Sequence, residues 1–125
     1  MLQAKSVVSG DHPKGKKLWI YIPQHMSSDS QFKFGIRDTL EGRFDPEQNT
    51  FKAKKVNVDK HRLDNYCTIQ GVERKLWLYI AQKLVQRREF PFKYEDQIMV
   101  SVSPEEDTIV IQPISLEQTA IVNRV

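Results

Sequence analysis

The sequence predicts a mainly β fold in which two tandem units of strand–strand–helix–strand–strand (ββαββ) close one β-barrel. Three observations predict it: an internal repeat, short β-type apolar runs in each copy, and the small size of one copy. A unit of about 50 residues is too small to bury its own core well. Two joined units can share a barrel without free strand edges. The predicted division is 1–58 for the first unit, 59–114 for the second and 115–125 for a C-terminal tail.

The internal repeat is the strongest of these observations. With a shift of 58 positions, residues 17–56 align with residues 75–114 without a gap, and twelve of the forty positions are identical. The most similar stretches are KLWIYIPQ, Lys17–Gln24, and KLWLYIAQ, Lys75–Gln82. Because the identities are spread along the whole alignment, the repeat indicates a structural unit and not a shared short motif.

Each unit opens with a predicted hairpin. SVVS and YCTIQ are β-branched or aromatic and are followed by glycine, a pattern typical of a strand and a turn. The glycine precedes the leucine of the next strand by eight residues in the first copy and by five in the second. The first hairpin loop is therefore predicted to be the longer one.

The second strand of each hairpin is a run of five apolar residues, LWIYI or LWLYI. A run so short and so uniformly apolar is typical of a strand that is buried on both faces. Its aromatic side chains are therefore predicted to lie in the core rather than to stack on a ligand: Trp19, Tyr21, Trp77 and Tyr79. The residues that follow predict a short helix in each unit, weaker in the serine-rich first copy.

The second half of each unit contains a pair of phenylalanines that bracket one residue, and these rings are predicted to plug one end of the core. Asp38 and Asp96 then precede a strand, where a carboxylate can accept backbone N–H bonds in a turn. Two strands joined by a four-residue loop complete the unit. Asn49 and Asp107 tolerate the left-handed conformation that closes such a loop.

Composition places the chain among folded, water-soluble proteins, with 39% hydrophobic and 28% charged residues. No apolar run approaches the roughly 20 residues that cross a bilayer, and the first residues lack the apolar segment of a signal peptide. The single cysteine, Cys67, excludes an internal disulfide. We therefore expect a cytoplasmic protein.

Residues for catalysis or metal binding do not form a recognisable pattern. One cysteine and three scattered histidines lack the spacing of a zinc site. The chain has neither a glycine-rich phosphate loop nor a Gly-x-Ser-x-Gly motif. We expect a protein that is not an enzyme and that carries no metal and no cofactor.

Charge suggests a different role. The net charge is +3, and it is uneven: residues 1–58 hold ten Lys or Arg and six Asp or Glu, whereas residues 59–125 hold nine and ten. Basic residues are kept in both copies just before the apolar strand, and with Lys14 they form a candidate phosphate-binding set: Lys16, Lys17, Arg74 and Lys75. Alternatively, these charges only solubilise the mouth of a buried strand.

The order of elements resembles the SpoVT/AbrB family of swapped-hairpin DNA-binding domains. The residues that carry this resemblance are the Lys-Gly and Ile-Pro of PKGKKLWIYIPQHM, the turn aspartate Asp38, and the closing hairpin KYEDQIMVSVSPEEDTIVIQPI. It extends over nearly the whole chain, once in each unit. Two units in one polypeptide resemble the MraZ arrangement of this family. The resemblance implies a swapped-hairpin, AbrB-like barrel that forms a pseudo-dimer.

The resemblance also implies a function. Members of the family are transcription regulators or antitoxins that bind duplex DNA through basic residues of the first hairpin and the short helix. On the helix of the second unit these are Lys83, Arg87 and Arg88. A toxin or another protein partner, and a homodimer, are further expectations from the same resemblance.

Three alternatives stay open at this point. One alternative explains the helical arginines by the helix dipole, which favours cations near a helix C-terminus. The first helix carries no Lys or Arg from Pro23 to Gln31, which favours a protein–protein interaction module that keeps the barrel and has lost DNA binding. A double-psi barrel is also built from duplicated units, and strand order distinguishes it from swapped hairpins.

Overall fold

The computed structural model describes residues 2–10, 17–72, 75–87 and 90–114. Within these residues, eight antiparallel strands close a barrel. The strands are β1 (Leu2–Gly10), β2 (Leu18–Ile22), β3 (Thr39–Asp45), β4 (Thr50–Val56), β5 (Tyr66–Val72), β6 (Lys75–Ile80), β7 (Gln97–Ser103) and β8 (Thr108–Pro113). Two α-helices, α1 (Gln24–Ser27) and α2 (Gln82–Val85), each follow an apolar strand, and 3-10 turns occupy Lys60–Arg62 and Pro104–Glu106.

The two units interleave around the barrel in the order β1-β2-β6-β5-β3-β4-β8-β7. The hairpin β1–β2 lies next to β7 of the second unit, and the hairpin β5–β6 lies next to β3 of the first. The central strands also pair across the units, β2 with β6 and β4 with β8. These are swapped hairpins, and the predicted mainly β, tandem ββαββ barrel is confirmed.

The predicted elements are present in both units. Seven residues separate β1 from β2, whereas two separate β5 from β6, so the first hairpin connection is the longer one. The short helix predicted in each unit is present, and both helices are single turns of four residues. Each turn buries one side chain, Met26 or Leu84, at matching positions of the repeat. In the described part of the chain, no helix is long and apolar enough to cross a membrane.

The turn residues have the predicted hydrogen bonds and backbone conformation in both units. Asp38 Oδ2 accepts the Gly35 N–H at 2.7 Å, and Asp96 Oδ2 accepts the Lys93 N–H at 2.8 Å. Asn49 and Asp107 both have a φ of 51°, in the left-handed region. Asp38 and Asp96 therefore each stabilise the turn of their own unit.

The core is made by every second residue of each strand, together with the phenylalanines of the connecting segments. Phe32, Phe34 and Phe92 are buried, and Phe90 packs against the core. Phe51 is fully buried, and its ring lies 5.7 Å from that of Phe90 and 6.3 Å from that of Phe92, edge to face in both cases. These contacts are favourable beyond the area that they bury.

The prediction that LWIYI and LWLYI are buried on both faces is wrong. Alternate residues of a strand point to opposite faces, and a closed barrel has one inner and one outer face. In β2, Leu18, Ile20 and Ile22 point inward and are buried. The aromatic residues between them, Trp19 and Tyr21, are only partly buried and do not belong to the core, and Trp77 and Tyr79 of β6 are placed in the same way.

Cys67 lies on the inner face of β5 and is fully buried, and this burial raises the pKa of its thiol. In the unfolded chain the thiol ionises near pH 8.5. Stability from the protonated, buried thiol is therefore present below that pH and is lost as the pH rises, because only the unfolded state then releases the proton.

We expect the difference in unfolding free energy between the native protein and Cys67→Ala to shrink by about 2 kcal/mol between pH 8 and pH 10. Urea unfolding of both proteins at the two pH values measures this quantity. A difference that stays constant with pH would mean that the thiol is accessible to solvent in the folded state.

Candidate nucleic-acid interface

The antiparallel pair β2–β6 lies at the pseudo-twofold axis that relates the two units. Its register joins Ile20 to Leu78 at the centre, so that Trp19 lies opposite Tyr79 and Tyr21 lies opposite Trp77. We call these four outward side chains the aromatic quartet. The rings of Tyr21 and Trp77 are 5.8 Å apart with an interplanar angle of 56°. Because the sequence repeat supplies the same two residues twice, the quartet surrounds the axis symmetrically.

The neighbouring strands complete this outer face. β1 places Val7 beside Tyr21 and Ser9 beside Trp19, as follows from the pairing of Val8 with Ile20. On the other side, β5 pairs Gln70 with Trp77 and Thr68 with Tyr79. Ser6 Oγ donates a hydrogen bond of 2.6 Å to the carbonyl oxygen of Tyr21, which fixes β1 against β2.

Lys17 and Lys75, the described lysines of the set predicted before the apolar strands, lie at opposite ends of the β2–β6 pair. Both are exposed. Leu18 pairs with Ile80, which places Lys17 beside Ala81, and Ile22 pairs with Leu76, which places Lys75 beside Pro23. The two positions are six residue steps apart along the strands, a span of roughly 20 Å. The lysines therefore frame the aromatic quartet and do not cluster.

The charged residues within the four strands of this face are all basic, although Asp59 lines a cleft beside Thr68 and Gln70 of β5. The strands β1, β2, β6 and β5 contain no Asp or Glu, and they contain Lys5 and Lys75. On β3, in contrast, Glu41 and Arg43 form an ion pair. The face that carries the quartet thus has positive charge without compensating carboxylates in its strands.

Of the basic residues predicted on the second helix, Lys83 lies on α2, whereas Arg87 follows the end of the helix at Val85, and the two have different neighbours. Lys83 on α2 forms an exposed ion pair with Asp64, at 3.4 Å. Arg87 is exposed and borders a cleft of about 400 Å³ together with Arg43 and Asn65. Lys83 shares an end of the β2–β6 pair with Lys17, because α2 starts directly after Ala81.

Several residues of the predicted set lie outside the described residues: Lys14, Lys16, Arg74 and Arg88. The tail 115–125 also lies outside them. Among the described residues, no group of three His, Cys, Asp or Glu side chains is arranged to hold a metal ion.

The outward position of the aromatic quartet was missed by sequence reasoning, although the signal was present. Within LWIYI and LWLYI the aliphatic residues occupy one parity and the aromatic residues the other. Such a period of two indicates a strand with two different faces. The uniform hydrophobicity of the run concealed it.

Comparison with known proteins adds no relative. No protein-family model, no curated protein and no solved structure matches this chain.

Proposed function

We propose that this protein is a non-catalytic, DNA-binding regulator of the swapped-hairpin type, and that it contacts DNA with the outer face of β1, β2, β6 and β5. One observation carries the proposal: a pseudo-twofold face framed by Lys17 and Lys75 whose strands contain no carboxylate. Nucleic acids are bound chiefly through phosphate charge, and carboxylates on the contact surface oppose this. The resemblance to SpoVT/AbrB domains supports the same role.

A salt titration of binding to a mixed-sequence duplex of about 25 base pairs tests the proposal. At about 50 mM salt, where phosphate contacts are strong, we expect measurable binding that weakens steeply as salt increases. The double variant Lys17→Ala/Lys75→Ala removes two phosphate contacts. It is expected to reduce the slope of log K against log salt by about 2.

A matched control is available on the opposite side of the barrel. The pair β4–β8 lies diametrically across the ring from β2–β6, and Lys52 and Lys54 are exposed on β4. The variant Lys52→Ala/Lys54→Ala changes the net charge by the same amount and should leave the salt slope unchanged. Equal slopes for the two double variants would show that DNA binds through the overall charge and not through one face of the barrel. An absence of binding by the native protein at low salt would reject the proposal.

A second candidate function, a protein–protein interaction module, is favoured by the apolar character of the same face. Trp and Tyr are enriched in protein interfaces, and two exposed valines border the quartet: Val7, which is 42% exposed, and Val72, which is 68% exposed. This candidate predicts no affinity for nucleic acid. The salt titration therefore separates it from the first.

A further inference from the structure

The aromatic quartet keeps four large side chains partly accessible to solvent on the outer face of the barrel. The hydrophobic core does not include these four side chains. The inward residues of the same strands, such as Ile20, Ile22 and Leu78, are completely buried. The partial exposure of Trp19, Tyr21, Trp77 and Tyr79 is therefore a property of the outer surface and not a consequence of crowding in the core.

We propose that the aromatic quartet is a stacking platform for unpaired bases, so that the preferred ligand of this face is a single-stranded nucleic acid. This inference rests on the proposed function and specifies the ligand of the same face. Aromatic side chains on a sheet bind every base through its π-face, whereas a groove with basic residues follows the phosphates. Here the rings lie in the middle of the face and lysines lie at both ends.

The geometry favours unpaired bases over an intact duplex. Rings at alternate positions of one strand, such as Trp19 and Tyr21, are spaced by roughly 7 Å along the strand. Bases in a duplex are stacked at about 3.4 Å and show only their edges in the grooves. A ring on a sheet can stack only on a base that has left the helix, as in the recognition of single strands.

Charge selects this ligand over an apolar protein partner. The four strands that form the face contain lysine and no Asp or Glu. The span between Lys17 and Lys75, roughly 20 Å, places a positive charge beyond each end of the quartet along β2 and β6. A nucleic-acid strand whose bases stack on the rings can place a phosphate near the lysine at each end of the quartet.

Intrinsic fluorescence gives a direct readout, since the two tryptophans of the chain are both members of the quartet. The 125-residue protein is titrated with a 20-nucleotide oligo-dT, a 20-nucleotide oligo-rU and a 20-base-pair duplex of mixed sequence. Binding is followed by the anisotropy of a label on each probe. We expect the single strands to bind more tightly than the duplex and to quench the tryptophan emission. The two single-stranded probes distinguish a DNA strand from an RNA strand.

Two substitutions at one position separate stacking from folding. Trp77→Leu keeps an apolar residue on the outer face and should weaken single-strand binding by about 5-fold or more, the loss expected for one stacked base. Trp77→Phe keeps a ring and should retain most of the affinity. Circular dichroism and urea unfolding establish that both variants are folded, and emission from Trp19 reports binding in each.

The possible results lead to different conclusions. Binding of the duplex with the same affinity by the native protein and Trp77→Leu, without quenching, would overturn the stacking platform and leave the proposed DNA-binding function standing. Failure of every probe at about 50 mM salt would reject both. Self-association in sedimentation that Trp77→Leu abolishes, in a protein that binds none of the probes, would assign the face to a second copy of the chain and overturn the inference.

Discussion

Replacing Gly71 with alanine is expected to lower the free energy of unfolding by about 2–3 kcal/mol. A Cβ atom at this position would lie 2.6 Å from the carbonyl oxygen of Lys75 and 2.6 Å from Cδ2 of Leu76. Gly71 pairs with Leu76 in the β5–β6 hairpin, so the neighbouring backbone is fixed by the ladder and cannot withdraw. A glycine within a strand typically marks such a close approach.

The repeat supplies a second test of the same contact. Gly10 pairs with Leu18 in the first hairpin, and a Cβ atom there would collide with the carbonyl oxygen of Lys17 and lie 2.8 Å from Cδ2 of Leu18. Gly10→Ala should therefore be destabilising to a similar extent. Gly35→Ala is the control, because a Cβ at Gly35 meets no atom within 4 Å.

Urea unfolding of the three variants measures these effects through the free energy of unfolding and the slope m. The expected change for Gly35→Ala is within about 0.5 kcal/mol. If Gly71→Ala and Gly10→Ala unfold at the same urea concentration as this control, the hairpin strands are not held at the spacing described.

Gly42→Val is expected to lower the free energy of unfolding by about 3 kcal/mol, although the other unit carries valine at the matching position. A Cβ at Gly42 would lie 2.6 Å from Cζ of Phe51 and 2.8 Å from Cδ2 of Leu84. Phe51 is fully buried against two other rings and has little room to move. The second unit accommodates Val100 because it has Ile109 in place of the phenylalanine.

A double-mutant cycle tests whether the small residue Gly42 compensates for the large residue Phe51 in the first unit, where the second unit has Val100 and Ile109. Phe51→Ile alone removes ring contacts and leaves a cavity, and should also be destabilising, by about 1–3 kcal/mol. The pair Gly42→Val/Phe51→Ile copies the second unit and should cost less than the sum of the single changes by about 0.5–3 kcal/mol. Val110→Ala on the outer face of β8 should instead be additive with Gly42→Val. If the effects of Gly42→Val and Phe51→Ile add as simply as those of Gly42→Val and Val110→Ala, residues 42 and 51 do not compensate for each other.

Much of this fold can be predicted from the sequence because the sequence contains the ββαββ unit twice. The repeat identifies corresponding turns, and the turn chemistry of Asp38 and Asp96 or of Asn49 and Asp107 is local, so it can be deduced from a few neighbouring residues. Pairing between the units is not local. It followed from the need of a small unit for a partner, together with the resemblance to swapped-hairpin domains.

The candidate site was harder to predict from the sequence than the fold. Lys17 and Lys75 are recognisable as repeated basic positions, but their separation by the length of a strand depends on the antiparallel register of β2 with β6. The burial of LWIYI was misjudged because an apolar run suggests two covered faces, whereas a closed barrel covers only one. Which side chains face outward is decided by closure, a property of all eight strands together.

The interleaving of the units also determines how the chain must fold. β1 is hydrogen-bonded to β7, with Leu2 opposite Val102, so the two partners are 100 positions apart in the sequence. Contacts between residues so distant in sequence close late, since the entropy of the intervening chain opposes them. Neither unit forms a complete sheet onto which the other unit could fold. The barrel is therefore expected to form slowly and in a concerted step. During synthesis β1 can pair early with β2, but its second neighbour, β7, becomes available only after residues 97–103 have left the ribosome.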